Sequence, residues 1–464
     1  MALRVDDEPA AASGSVPVIP GSAQRALTIG LLLIITLVAF EALAVATVLP
    51  IVEADLGELR LYGWAFSGFL LASLLGITWA GQQSDRYGPA RPFLVGLGLF
   101  AAGLVIGGGA PEMWVLVLGR VVQGVGAGML PAVAWVAIGR GYDERTRPRI
   151  LAYMSTAWVV PGLAGPGLAA LVAHTLTWRL VFLGLLPLVA IAGWLAGPGL
   201  RKLGPPAQRA AGGGRMVPAV QLVFGAGLFL GGLTASEWLL SIPLCITGLG
   251  IAISPLRRLL PAGALRAARG LPAAIGGHGL MNAAFFGGDA FVPFLLMTVR
   301  GEPTILVGIL LSVPAITWTC GTWIVDRLTT RLDRRLFMAG GLICITGEML
   351  AMALTAVPSV PIVVPALAWA LGALGMGMAY PSFSLTIIEA AAPGEEGSVS
   401  ASMKLVEALG SALGAGICGA IIAAGPAINS QRLAAGIAFC LVAALAFATI
   451  ALAARAIRRA PAHA

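Results

Sequence analysis

Charge is scarce in this chain: only 11% of its 464 residues are Asp, Glu, Lys or Arg, and just 21 of them are acidic. A soluble domain carries roughly a quarter, so a water-facing surface cannot be covered and a soluble enzyme is excluded. Histidine is scarcer still, at three (His174, His278, His463). The five cysteines, Cys245, Cys320, Cys344, Cys418 and Cys440, are scattered through apolar stretches. Neither set has metal-ligand or paired spacing, so no metal site is expected and the thiols read as buried and inert. No Walker loop or other phosphate-cradling glycine loop is present, and no nucleophile–base motif. No cofactor is therefore expected, ATP is not the energy source, and an integral-membrane enzyme is a weak alternative. Lysine is nearly missing (Lys202 and Lys404 only), and arginine bias with an excess of Ala and Gly marks a GC-rich bacterial genome.

What is present is apolar. Hydrophobic residues make up 58% of the chain and glycine contributes 62 positions without a three-residue period, with a mean hydropathy of +0.92. Disordered and collagen-like chains are excluded. An all-α polytopic membrane protein remains, since about 20 apolar residues cross the hydrocarbon core as a helix. Apolar segments lie near 26–50, 62–80, 92–110, 114–138, 150–173 and 180–199, then 216–234 and 237–254, then 272–298, 304–324, 336–356, 360–380, 397–424 and 433–454. The simplest count is six, two and six. The middle pair is a tight transmembrane hairpin or a re-entrant one; both keep the same parity.

Loop charge tests that count, because cytoplasmic loops are enriched in Arg and Lys. With the N-terminus inside, only Arg60, Arg179, Arg300 and Arg432 fall outside, and only Arg120 and Lys404 fall within spans. All other basic residues are cytoplasmic, which places both termini in the cytoplasm. The expected organisation is a polar tail over 1–24, a six-helix bundle over 25–200, a linker with two extra helices over 201–271, a second bundle over 272–454 and a basic tail over 455–464. The dispersal of the arginines over many short segments excludes nucleic acid as a partner. Asp85-Arg86 follows the second span and Asp326-Arg327 follows the eighth of the twelve bundle helices, each with an arginine (Arg91, Arg331) close behind. That matched placement fits a duplicated unit.

Ionisable groups inside the spans carry the chemistry. Glu41 lies deep in the first span, where an ionised carboxylate costs about 2.5–3.5 kcal/mol on insertion scales. Protonation removes most of that cost, so Glu41 is either a proton carrier or a structural acid bonded to a neighbouring helix. Asp289 occupies a similar depth in the first helix of the second half, with Gly287 and Gly288 beside it. His278 lies three turns earlier on roughly the same face and Asn282 one turn after His278; each is a relay or substrate ligand, or a packing residue. Arg120 stays charged when buried and needs a partner, for which Glu41 is the natural proposal. Lys404 and Glu407, one turn apart, are expected to neutralise each other. Glu348 has no assigned role. If these groups share one cavity, acids exceed bases there and neutral or cationic amphiphiles are favoured. Trp158, Trp318, Trp323, Phe285, Phe286, Met376 and Met378 form its adaptable apolar wall, or pack helices and face lipid.

Three motifs carry a family resemblance. Gly81-Gln82-Gln83-Ser84-Asp85-Arg86-Tyr87-Gly88-Pro89-Ala90-Arg91 resembles the loop signature that follows helix two in the major facilitator superfamily. Arg120-Val121-Val122-Gln123-Gly124-Val125-Gly126 is similar to its helix-four signature. Gly162, Gly165 and Pro166 in the fifth span look like its antiporter signature, although Ala169 and Ala170 stand where paired glycines are usual. Gln83 replaces the usual Leu of the loop signature, and Glu41 with Thr47 stands where an Asp-x-Thr is expected. Trp178-Arg179 and the two extra helices resemble the fourteen-helix drug:proton antiporter branch. The resemblance implies alternating access between two bundles, a role for Arg120 near the proton site and a monomer. It also implies export of a lipophilic or cationic small molecule against inward proton flow, in a bacterial inner membrane. Export of an endogenous lipid or metabolite is the nearest alternative, and a channel or receptor a more distant one.

Overall fold

The computed structural model describes residues 21–143, 145–205, 214–392 and 395–456; among these there is no strand. The expected tails therefore fall outside the described residues, apart from 21–24 and 455–456, and so does 206–213 of the linker. Fourteen helices are long and apolar enough to cross a membrane. The first six are α1 (Gly21–Leu56), α2 (Leu59–Tyr87), α3 (Ala90–Gly108), α4 (Met113–Gly141), α5 (Arg149–Thr175) and α6 (Arg179–Lys202). The middle pair is α7 (Met216–Thr234) and α8 (Trp238–Leu259). The last six are α9 (Leu271–Val299), α10 (Thr304–Leu328), α11 (Arg334–Thr355), α12 (Val363–Glu389), α13 (Gly397–Ala423) and α14 (Gln431–Ala456). One correction follows at the start: residues 21–24, read as tail, are the first turn of α1. A helix runs past its apolar stretch wherever the flanking residues, here Ser22, Ala23 and Gln24, tolerate helical geometry.

Four helices are interrupted, and proline accounts for each. The helical pattern breaks at 157–158 in α5, 184–185 in α6, 290–291 in α9 and 311–312 in α10. Each break lies a turn or less before a proline: Pro161, Pro187, Pro293 and Pro314. Proline has no N–H for the carbonyl four residues back, and its ring crowds that carbonyl.

Small residues set how closely the helices approach. On α4, Gly124 and Gly128 press on the backbone of Phe69 and Ser73 in α2, while Gly126 presses on Gly96 and Phe100 in α3. On α12, Gly377 meets Trp318 and Gly321 of α10, and Gly375 meets Gly341 and Cys344 of α11. The fourth helix of each six thus packs through glycine on the second and third. Such close backbone approach is the usual device for helix association in lipid.

Contacts between the two sets of six gather toward the face of the α1–α2 turn, called the turn face below; the opposite one is the loop face. There Tyr62 and Phe66 of α2 stack with Phe291 and Phe294 of α9 at centroid distances of 5.2–6.3 Å. Gly63 lies against Gly419 of α13, and Gly308 of α10 against Pro166 and Ala170 of α5. α7 lies along the seam between α2 and α13, burying Leu222, Ala226 and Leu230 against Leu71, Leu74, Leu409 and Ala412. The Trp64 indole of α2 donates to Thr234 of α7 at 3.2 Å. α8 packs on α7 through Gly225 and Gly248.

Candidate functional site

Among the described residues, the ionisable side chains deep in the spans that the sequence singles out fall into three groups. The first is built on α4, where Arg120 and Gln123 are one turn apart. Arg120, 2% exposed, forms an ion pair with Glu41 of α1, itself 1% exposed. The guanidinium also donates to the Gln123 side-chain oxygen at 2.8 Å and to the Ala65 carbonyl of α2 at 3.1 Å. The Phe69 ring lies 4.1 Å from its centre. Three helices therefore supply one cation's partners. The second Glu41 oxygen and the Gln123 amide nitrogen have no partner. An ionised Glu41 holds Arg120; a protonated one would release a guanidinium N–H and leave Gln123 and Ala65 as its partners.

The second group lies among α9, α11 and α12. The Trp369 indole donates to Asp289 at 2.7 Å. Glu348, fully buried, has no hydrogen-bond partner on either oxygen.

The third group lies nearer the loop face. Glu407 of α13 accepts from Lys404 at 2.9 Å and from the Tyr380 hydroxyl of α12 at 2.9 Å. Lys404 also donates to the Tyr380 hydroxyl at 3.0 Å. His278 approaches Glu407 at 3.5 Å, yet neither imidazole nitrogen makes a hydrogen bond. Asn282 donates to the His278 carbonyl at 2.7 Å, leaving its own amide oxygen unpartnered. Tyr380 is in contact with His278 and Trp318, and Trp318 with Phe285 and Phe286. Lys404 is 51% exposed and Glu407 26%. The other two groups are shut in or nearly so.

The condition of one shared cavity finds no support in this arrangement, which sets Glu41, Glu348 and Glu407 in different surroundings. Depth along a helix is readable from the chain, but the face a residue presents is not; Glu41 and Glu348 are buried, whereas Lys404 is half exposed. The open group holds one cation and one anion, with aromatic rings beside them. Because Lys404 is half exposed and Glu407 keeps Tyr380, Lys404→Ala should change stability by only about 0–1 kcal/mol. Thermal unfolding in detergent checks this; a larger loss would mean that Lys404 holds α12 to α13.

The loop residues are placed differently from one another. Gly88 adopts a φ of 84°, a conformation that favours glycine, and a side chain there would overlap the Gly204 carbonyl after α6. Arg140 donates to the Leu203 and Gly204 carbonyls at 3.0 and 3.1 Å. Arg91 lies 5.0 Å from the Tyr87 ring centre. Asp85 and Arg86 end α2 and Asp326 and Arg327 end α10; among the described residues none of the four forms an ion pair, and Gly81 faces open space. The fifth-span glycines lie at helix contacts: Gly162 against Ala315 of α10, and Gly165 against Phe40 of α1. Sequence reasoning missed Asp55, which accepts from Trp178 at 2.9 Å and Arg179 at 3.0 Å and ties α1 to α6. It also missed Tyr380 and Trp369, ordinary aromatics in an apolar helix until their partners are seen.

Comparison with known proteins bears on these arrangements. A family model described as Major Facilitator Superfamily matches residues 31–415. A probable multidrug-efflux transporter of Mycobacterium tuberculosis is 27% identical over 399 residues, covering 81% of this chain and 83% of that protein. A multidrug transporter protein of Bacillus subtilis is 24% identical over 412 residues, covering 86% and 76%. Among solved structures, an auto-inhibited POT family peptide transporter aligns over 94% of this chain and 98% of its own, with a TM-score of 0.69 at 16% identity. That likeness concerns the fold alone.

Proposed function

The chain belongs to the major facilitator superfamily, and on that premise we propose that it exports a lipophilic or cationic small molecule in exchange for protons. Two six-helix bundles, α1–α6 and α9–α14, would expose the central region alternately to the two faces of a bacterial inner membrane. Both termini would be cytoplasmic, and a monomer would suffice.

The observation that carries this reading is the buried Glu41–Arg120 pair. A carboxylate that can trade its arginine for a proton changes the hydrogen bonding of α1, α2 and α4 together. Proton uptake and helix arrangement are then linked, as exchange requires. The Mycobacterium tuberculosis relative named a multidrug-efflux transporter supports the export direction, and the multidrug names of both relatives support breadth of substrate. The Trp318, Phe285, Phe286 and Tyr380 rings beside a balanced Lys404–Glu407 pair favour selection by lipophilicity over selection by charge. The half-exposed Lys404 ammonium also favours a second reading, export of an endogenous lipid or metabolite bearing an acid group.

Acid-loaded inverted vesicles test the proposal. Adding tetraphenylphosphonium should dissipate the gradient with the wild-type chain. Glu41→Gln should slow that release at least about tenfold, equivalent to ~1.4 kcal/mol on the limiting step. A variant as fast as the wild type would make Glu41 structural. A wild type that answers an acidic amphiphile and no lipophilic cation would favour the second reading.

A further inference from the structure

Among the described residues, Glu348 is the least accommodated ionisable side chain. It is fully buried, both carboxyl oxygens lack hydrogen-bond partners and, among the described residues, no cation pairs with it. Its side chain occupies space left by Gly372 of α12, where any side chain would overlap the carboxyl group. Trp369, whose indole holds Asp289, lies one turn before Gly372 on the same helix face. Gly288, next to Asp289, packs against Met349, next to Glu348. Asp289 of α9 and Glu348 of α11 thus converge on one turn of α12.

The other ionisable groups on the surrounding helices are engaged or turned away. On α9, His278 lies by Glu407. On α12, Tyr380 bonds Glu407 and Lys404, and Glu389 pairs with Arg334. On α14, Arg432, Cys440 and Arg455 are exposed. On α11 itself, Cys344 lies one turn away against Gly375. Among the described residues no cation pairs with either carboxyl group. An isolated ionised carboxylate in such surroundings is strongly disfavoured, and two adjacent ones cannot both ionise.

We propose that Glu348 and Asp289 form a second proton-binding site, holding one exchangeable proton between them, in the second six-helix group and apart from Glu41 and Arg120. Glu348 supplies the O–H, and Asp289, with one oxygen on Trp369, is the acceptor it reaches when the helices shift. The role in transport rests on the exchange reading above, whereas the bound proton is measurable without any transport. Two sites in two halves would give a stoichiometry above one proton per substrate.

Infrared spectra of the purified full-length chain in detergent provide the test. The wild type should show the carbonyl band of a protonated carboxylic acid at neutral pH, shifted in D2O and lost as the pH is raised. Glu348→Gln should remove this band, Asp289→Asn should move its frequency or its titration, and Glu41→Gln should leave it in place. A band that persists in Glu348→Gln, or that Asp289→Asn leaves untouched, overturns the proposal. If Glu348→Gln does not accumulate, the Asp289→Asn spectrum alone decides. In the vesicle assay, Glu348→Gln should release about one proton fewer per tetraphenylphosphonium. A wild type that releases none would remove the exchange reading while leaving the infrared band as found.

Discussion

Arg120→Ala is expected to destabilise the protein by about 3–5 kcal/mol, the cost of leaving one member of a buried ion pair without its partner. Arg120 binds Glu41, Gln123 and the Ala65 carbonyl and lies over Phe69, so its loss unties α1, α2 and α4 at one point. Glu41, at 1% exposure, has no other cation partner among the described residues. The double variant Arg120→Ala with Glu41→Leu should regain most of the loss, because replacing a whole buried pair by apolar groups is often close to neutral. Thermal unfolding of both variants in detergent decides this. Equal losses in the single and double variants would show that the arginine acts through packing and its carbonyl bond instead of through Glu41.

Gly419→Val is expected to act on transport more than on folding. A Cβ at Gly419 would lie 2.7 Å from the Gly63 Cα and 3.2 Å from the Phe291 ring, where α13 of the second group meets α2 of the first. Overpacking of this kind costs about 1–3 kcal/mol. Here the cost falls on the arrangement closed at the turn face and shifts its population about 5–150-fold. Transport should fall by a similar factor, while a cysteine placed at Phe66 becomes more reactive to a water-soluble maleimide added from the turn side. Unchanged reactivity and unchanged transport would mean that this contact is not remade during the cycle.

Much of the architecture was legible because the membrane imposes simple rules. Apolar runs mark the fourteen helices, and the bias of basic residues to one side of the spans, with only Arg60, Arg179, Arg300 and Arg432 at the other ends, constrains their parity. Helix ends were less legible. The first apolar run spans 26–50, whereas α1 spans Gly21–Leu56, since nothing in the polar flanks stops a helix. The site was legible only in part. Arg120 and Glu41 stand out because charge in a span demands explanation, but they are 79 positions apart and only the fold shows that they touch. The sequence leaves open whether the four acids share one cavity, and the structure gives them different surroundings in three groups. Which way a side chain points around its helix depends on close approaches such as Gly372 to Glu348 and Gly288 to Met349. An all-round apolar helix carries no periodic signal of that kind.

The central claim, that protonation of Glu41 is linked to alternating access, is tested most directly by a distance across the turn face. Spin labels at Ala54→Cys in α1 and Pro303→Cys before α10, both exposed positions, would be read by double electron–electron resonance with the five native cysteines replaced. The account predicts two distance populations whose ratio shifts with pH in the wild type and no longer shifts in Glu41→Gln. A single short distance at every pH, or a pH-driven shift that survives in Glu41→Gln, would contradict it.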